Sequence, residues 1–286
     1  MGRTRRATGS GDCLGVPGHA GSQGTVQCRL GDRPMTDEPA LAAITDRLAA
    51  LAAEQGLDLE ALGAATVRSA IRGRLRATHC DGAAYLQRIA RDTDETGALL
   101  EDLLVPETWF FRDPPAFDLL RSAALAHGLT NGASTPFRVL SLACSTGEEV
   151  WSIAIALHEA GLLPRQMRVD ALDLSRTAVA RAQTAIYGSR SFRGPALVEK
   201  ERYFVDLDNG RSEVNPALRA SVRIATGNLL ETRWERDYDA IFCRNVLIYM
   251  TYEAREQTIS RASAALVPGG LLFVGHADAP SAAAAG

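Results

Sequence analysis

FRVLSLACSTGEE, residues 137–149, decides how the second half of the chain is read. Phe137–Leu142 is an apolar run of strand length, Ala143–Gly147 is a turn of small residues, and an amphipathic helix follows around Val150–Leu163. Beyond it, Met167–Leu172 reads as a second strand and Ser175–Tyr187 as a second helix. Val222–Thr226, Asp239–Cys243 and Leu271–Gly275 read as later strands, with a helix across Tyr252–Leu266 before the last. Strands alternating with helices imply right-handed βαβ units, an α/β fold and a mostly parallel sheet. Gly188–Ala220 is polar, breaks the alternation and reads as an insertion packed on the sheet.

Toward the N terminus the pattern changes. From Leu41 to about Leu104 apolar residues recur at helix spacing (Ile44, Leu48, Leu51; Val67, Ile71, Leu75; Leu99, Leu103), with no strand-like alternation. This predicts a small all-helical domain over 35–104, and 105–136 connects it to a second domain over 137–280. Residues 1–34 are rich in Gly, Arg, Ser and Thr and read as a disordered extension. Asp37 and Pro39 form a helix start, so Met35 is the expected native first residue. Residues 281–286 read as a tail.

Composition narrows the function. The chain is 46% hydrophobic and 23% charged with a net charge of −3, which describes a globular protein and argues against coating nucleic acid by bulk positive charge. Its five cysteines show no metal-ligand spacing, so neither zinc nor any other metal, nor a disulfide, is expected. No apolar run reaches membrane-spanning length and no secretory h-region follows the basic start, so a cytoplasmic protein is expected; it is also expected to be a monomer.

In a doubly wound sheet the ligand lies beyond the carboxyl ends of the strands. Three loops should meet there. Ala143–Glu149 lets the backbone approach a ligand closely, and its Glu148 and Glu149 suit a cation, such as a sulfonium carrying an amino group, better than a pyrophosphate. Helix capping by these acids is an equal alternative. Asp173, after the second strand, can accept both hydroxyls of a ribose, or can serve its own turn. Arg244 and Asn245 leave the fourth strand of the sheet on the ligand side. Tyr249 lies one turn farther, where its hydroxyl can bond a carboxylate or its ring can simply pack.

Four stretches in order, Glu107–Asp113 (ETWFFRD), Ala143–Glu149, Asp239–Tyr249 and Gly269–His276, resemble the CheR family of chemoreceptor glutamate methyltransferases. The resemblance runs from about Leu41 to His276. ETWFFRD is most similar to the branch in chemosensory-like pathways other than flagellar taxis. It implies a Rossmann-like class I methyltransferase domain with a small antiparallel β insertion at 188–220, behind a helical domain. It implies S-adenosylmethionine as cofactor, S-adenosylhomocysteine as product, and the cytoplasmic domain of a methyl-accepting chemoreceptor as partner. Carried over by position, Thr108 and Arg112 contact the cofactor from the linker, Glu149 its methionine or ribose part and Asp173 the ribose hydroxyls. Asn228 and Leu229 surround the adenine, Arg244 and Asn245 close the pocket, and Arg112 with Tyr249 face the acceptor. Pro106 stands where many members have Asn, and the family's further C-terminal strands have no counterpart before Gly286.

The implied reaction is displacement at a sulfonium methyl by a glutamate carboxylate. That group is already ionised near neutral pH, with a reference pKa of about 4.3, so no general base is required. The row Arg68, Arg72 and Arg76 on one helix face resembles the family's receptor-docking helix, and a solvated face is the alternative. Competing functions are a methyltransferase of RNA or small molecules, disfavoured by the acidic chain and its 6% aromatics, and a cofactor-binding regulator with little turnover. A pure scaffold would make the acidic loop and Asp173 coincidences.

Overall fold

A computed structural model describes residues 38–104, 107–131, 135–193 and 200–278. The expectations for residues 1–34, for the helix start at Asp37, for Pro106 and for the terminal tail fall outside these residues.

Five helices come first: α1 (Glu38–Glu54), α2 (Leu59–Leu62), α3 (Ala64–Thr78), α4 (Gly82–Ile89) and α5 (Thr93–Glu101). Asp58, Asp81 and Asp92 cap α2, α4 and α5, each carboxylate accepting backbone N–H groups of the first turn. The apolar spacing seen in the sequence closes one core, with Ile44, Leu48, Ile71 and Leu99 fully buried. Inside it, Glu95 is 4% exposed and takes a bidentate pair from Arg74 at 2.8 Å and the Tyr85 hydroxyl at 2.9 Å. Breaking such a pair from one side strands a buried charge.

Helix α6 (Pro114–Asn131) leads into β1 (Phe137–Leu142), and the alternation follows: α7 (Glu148–Glu159), β2 (Met167–Asp173) and α8 (Arg176–Thr184). Next come β3 (Ile186–Gly188), β4 (Phe204–Leu207), β5 (Arg211–Val214) and α9 (Pro216–Arg219), then β6 (Val222–Thr226), β7 (Tyr238–Cys243), α10 (Tyr252–Ala265) and β8 (Leu266–Val274). The main sheet has the order β6-β2-β1-β7-β8 with every pairing parallel. Successive strand residues feed opposite faces, as period two requires. Val139 and Phe242 enter one core layer with α6 and α7, whereas Leu140, Ile241 and Cys243 enter the other, which includes residues of α10.

Four boundaries differ from the sequence reading. The second helix stops at Thr184 because Ala185 turns left-handed (φ 56°), and Ile186–Gly188 then pairs antiparallel with β5. The insertion sheet therefore begins before Gly188, in the order β3-β5-β4. The last strand starts at Leu266 rather than Leu271, with a register shift opposite Tyr238/Ala240 that accommodates Pro268 and Gly269. The first helix of the sheet starts at Glu148, two residues early.

The helical unit reaches the sheet's ligand edge. Leu57 bridges Met250, the Asp58 amide donates to the Tyr249 carbonyl at 2.8 Å, and Glu101 accepts from the Arg176 amide (2.8 Å) and the Thr177 hydroxyl (2.5 Å) at the start of α8.

Candidate active site

Strand order reverses between β1 and β7, and the crevice at their carboxyl ends holds a cavity of about 610 Å³, within the size range of small-molecule sites. Thr108, Arg112, Glu149, Asp173, Asn228, Leu229, Arg244, Asn245 and Tyr249 all line it. Arg68, Arg72 and Arg76 do not. They lie exposed on α3 around a separate shallow groove.

The β1 loop is bent hard. Ala143 (φ 57°), Ser145 (φ 50°) and Gly147 (φ 92°) are all left-handed, as are Asn245 on the same cavity and Phe111 and Asp113, which flank the lining residue Arg112. Non-glycine residues there cost on the order of 1–3 kcal/mol each and persist only where their surroundings enforce them. Gly147 is required on two counts, since an added β-carbon would lie 2.6 Å from Ala182 Cβ and 2.8 Å from the Tyr187 hydroxyl.

Neither acid at the helix start acts as its cap; that position is Gly147, without a side-chain bond. Glu148 is buried, taking the Thr146 hydroxyl at 2.6 Å and the Ser191 hydroxyl at 2.7 Å, which ties the loop to the insertion. Glu149 accepts from the Ser141 hydroxyl at 2.9 Å and from Arg244 Nη1 at 3.0 Å. Burial pushes the Glu149 carboxyl up, opposed by the Arg244 charge. Asp173 takes the Ser145 amide at 2.6 Å and the Ser175 amide at 2.8 Å, so it serves its turn while facing the cavity. Burial raises its carboxyl as well, against those two amides.

Arg244 is 2% exposed along its side chain and knots three segments. Besides Glu149, its Nη2 donates to the Arg112 carbonyl at 2.7 Å and to Asp113 at 3.2 Å. The guanidinium thus holds the linker in place. Arg112 itself extends along the cavity, donating to the Glu107 carbonyl at 2.8 Å and stacking over Trp109 at 4.6 Å. The linker aromatics anchor it from both sides. Phe110 packs among Tyr187, Phe192 and Phe204 of the insertion, and the Phe111 amide donates to the Ser152 hydroxyl at 2.9 Å.

Some lining residues gave no signal in the sequence. Gln55 accepts the Asn228 amide at 3.0 Å, and Glu101, Trp109 and Arg181 also border the cavity. Of these, only Trp109 lay within a quoted motif; Gln55, in the turn after α1, and Glu101, at the end of α5, are ordinary polar residues until the two units meet. The donor set fits a zwitterionic nucleoside: two carboxylates for cationic and hydroxyl groups, and an apolar wall of Leu62, Leu229 and Ile248. Ser145 Oγ and Arg244 Nε are buried beside it without a partner among the described residues.

Comparison with known proteins agrees with this geometry. Residues 106–284 match the family described as "CheR methyltransferase, SAM binding domain". The chain is 41% identical over 227 residues to a probable biofilm formation methyltransferase WspC of Pseudomonas putida, covering 78% of this chain and 53% of that protein. It is 34% identical over 215 residues to a chemotaxis protein methyltransferase of Salmonella typhimurium, covering 72% of each. The chain thus spans about half the length of the WspC proteins it matches. With a parallel sheet, an acid-lined cavity at its switch point and this match across most of the second unit, the chain belongs to the CheR methyltransferase family.

Proposed function

We propose that the chain transfers a methyl group from S-adenosylmethionine to glutamate side chains of a methyl-accepting chemoreceptor, giving glutamyl methyl esters in a chemosensory pathway. One observation carries the reading: the acidic wall of Glu149 and Asp173 shares a single cavity with Arg112 and Tyr249. The names of the relatives support it.

When bound, S-adenosylmethionine supplies an electrophilic methyl on a sulfonium. Glu149, Asp173, Asn228, Leu229, Thr108, Arg244 and Asn245 hold it. Arg112 orients the acceptor carboxylate and Tyr249 hydrogen-bonds it, both from the cavity wall. The acceptor is ionised at neutral pH, so these residues need not remove a proton. They align two groups and keep water away, which supplies several kcal/mol of the barrier. The receptor docks on α3, where Arg68, Arg72 and Arg76 have no ion pair among the described residues, whereas Arg74 is committed inward to Glu95. In this reading 35–104 is the docking domain, 105–136 the linker and 137–280 the catalytic domain.

The test is transfer of labelled methyl to a chemoreceptor cytoplasmic fragment, followed by mild alkali. Label released as methanol establishes the ester. Cofactor binding without transfer to any receptor fragment favours the regulatory reading. Tyr249→Phe should keep cofactor binding and lose transfer; full activity removes the role given to Tyr249. Charge reversal at Arg72 and Arg76 should weaken receptor methylation alone, and unchanged methylation would refute docking on α3.

A further inference from the structure

Asp278 lies in the turn after β8, outside every motif quoted from the sequence, and its residue is 0% exposed. Its carboxylate accepts three backbone N–H groups: Gly275 at 3.1 Å and Asn245 on Oδ2, and Ile248 at 3.1 Å on Oδ1. It forms no ion pair among the described residues. Two amides of the 245–248 loop and that of Gly275 balance its charge, an arrangement stronger than neutral hydrogen bonding. The fit is tight, because a β-carbon at Gly275 would lie 2.5 Å from Asp278 Oδ2 and 2.7 Å from the Asn245 nitrogen. Asn245 is held left-handed at φ 58°, and the 3-10 turn Leu247–Tyr249 follows at once. The neighbouring Ala277 borders the cavity.

We infer that Asp278 is a positioning residue for methyl transfer, its carboxylate clasping the loop 245–249 so that Asn245 and Tyr249 stand at their places on the cavity wall. The idea rests on the role given to Tyr249 in the proposed function. Arg244 anchors the start of this loop and the Asp58 amide anchors its end. Between those points Asp278 grips the Asn245 and Ile248 amides, while Arg255 takes the Leu247 carbonyl at 3.2 Å. Losing a carboxylate oxygen there would let the loop drift without opening the sheet, since the pairing of β7 with β1 ends at Cys243.

Amide exchange and kinetics together decide it. In the unaltered chain the Asn245 and Ile248 amides should exchange slowly, and fast exchange there overturns the inference even if no variant folds. In Asp278→Asn these two amides should exchange at least about tenfold faster, with β1 and β7 unchanged. Unaltered protection at the loop, or an equal rise everywhere, overturns the positioning role. The same variant should lower kcat about tenfold or more, through Tyr249, and should raise cofactor Kd no further than Asn245→Ala does; a larger rise in Kd, or an unchanged kcat, overturns the positioning role. In a Tyr249→Phe background it should cost less than about twofold further, because the two act through one group; full additivity overturns the inference. If the unaltered chain transfers no methyl to a receptor fragment, the proposed function fails, and the exchange results still decide whether Asp278 holds the loop.

Discussion

The loop leaving β1 (residues 143–147) and the loop leaving β7 (244–250) emerge from neighbouring parallel strands onto one cavity, yet their anchors come from different places. The first is held within the sheet's own unit, by Asp173 at the end of the next strand, by Glu148 in the helix it opens, and by the Tyr187 hydroxyl on the Thr146 carbonyl at 2.8 Å. The second is held from farther along the chain as well: by the linker through Arg244, by the turn after β8 through Asp278, by α10 through Arg255 on the Leu247 and Met250 carbonyls, and by the helical unit through the Asp58 amide. A loop of the first kind is as rigid as its sheet. A loop of the second kind is correct only when four separate parts of the chain have come together. The Glu149 side of the cavity thus rests on the sheet's own unit, and the Tyr249 side on the assembly of the whole chain.

The sharpest way to break this contrast is to cut the side chain that joins the second loop to the helix opened by the first. Arg244→Ala leaves Glu149 buried without its cation, which should cost about 3–5 kcal/mol in denaturant unfolding and abolish cofactor binding. Retention of wild-type stability would mean that the two loops are held independently. Gly147→Ala tests the first loop alone. Its left-handed φ and the approach to Ala182 and Tyr187 predict a loss of roughly 2–3 kcal/mol, read in the same unfolding experiment.

Gln55→Ala tests the contact from the helical unit to Asn228. It should cost about 1 kcal/mol, the net worth of one hydrogen bond, and weaken cofactor binding by a few-fold in calorimetry. An unchanged Kd would show that the helical unit does not help hold the cofactor through Asn228.

The mildest effect is that of pH. Burial raises Glu149, faced by Arg244 and Arg112, and Asp173, faced by the Ser145 and Ser175 amides and by Glu101. Both therefore take up protons at a higher pH than ordinary carboxyls. Affinity for a cationic cofactor should fall several-fold on acidification, starting above the ordinary carboxylate range, and fall less steeply in Asp173→Asn. Stability responds with the opposite sign. These two carboxyls bind protons more tightly when folded, so their contribution declines as pH rises from the ordinary carboxylate value through the raised one.

Much of the sheet was legible because its signals are local. Strand runs, the small-residue turn at 143–147 and the helical spacing before Leu104 depend only on neighbours a few residues apart, and the parallel sheet formed as that pattern requires. Boundaries were missed where a distant partner decides them: Ala185 ends its helix so that Tyr187 can reach Thr146, 41 residues away. The four arginines of α3 look alike in sequence, yet Arg74 turns inward because Glu95, 21 residues on, is buried opposite it.

By itself, then, the sequence determined the α/β alternation, the helical first unit and the acids and arginine that leave the strand ends, since backbone periodicity and turn chemistry are properties of short stretches. Only the tertiary structure decided which of those groups meet. Arg244 finds Glu149 across 95 residues, Asn228 finds Gln55 across 173 and the 245–248 amides find Asp278, because such partnerships depend on how units pack and not on any spacing along the chain.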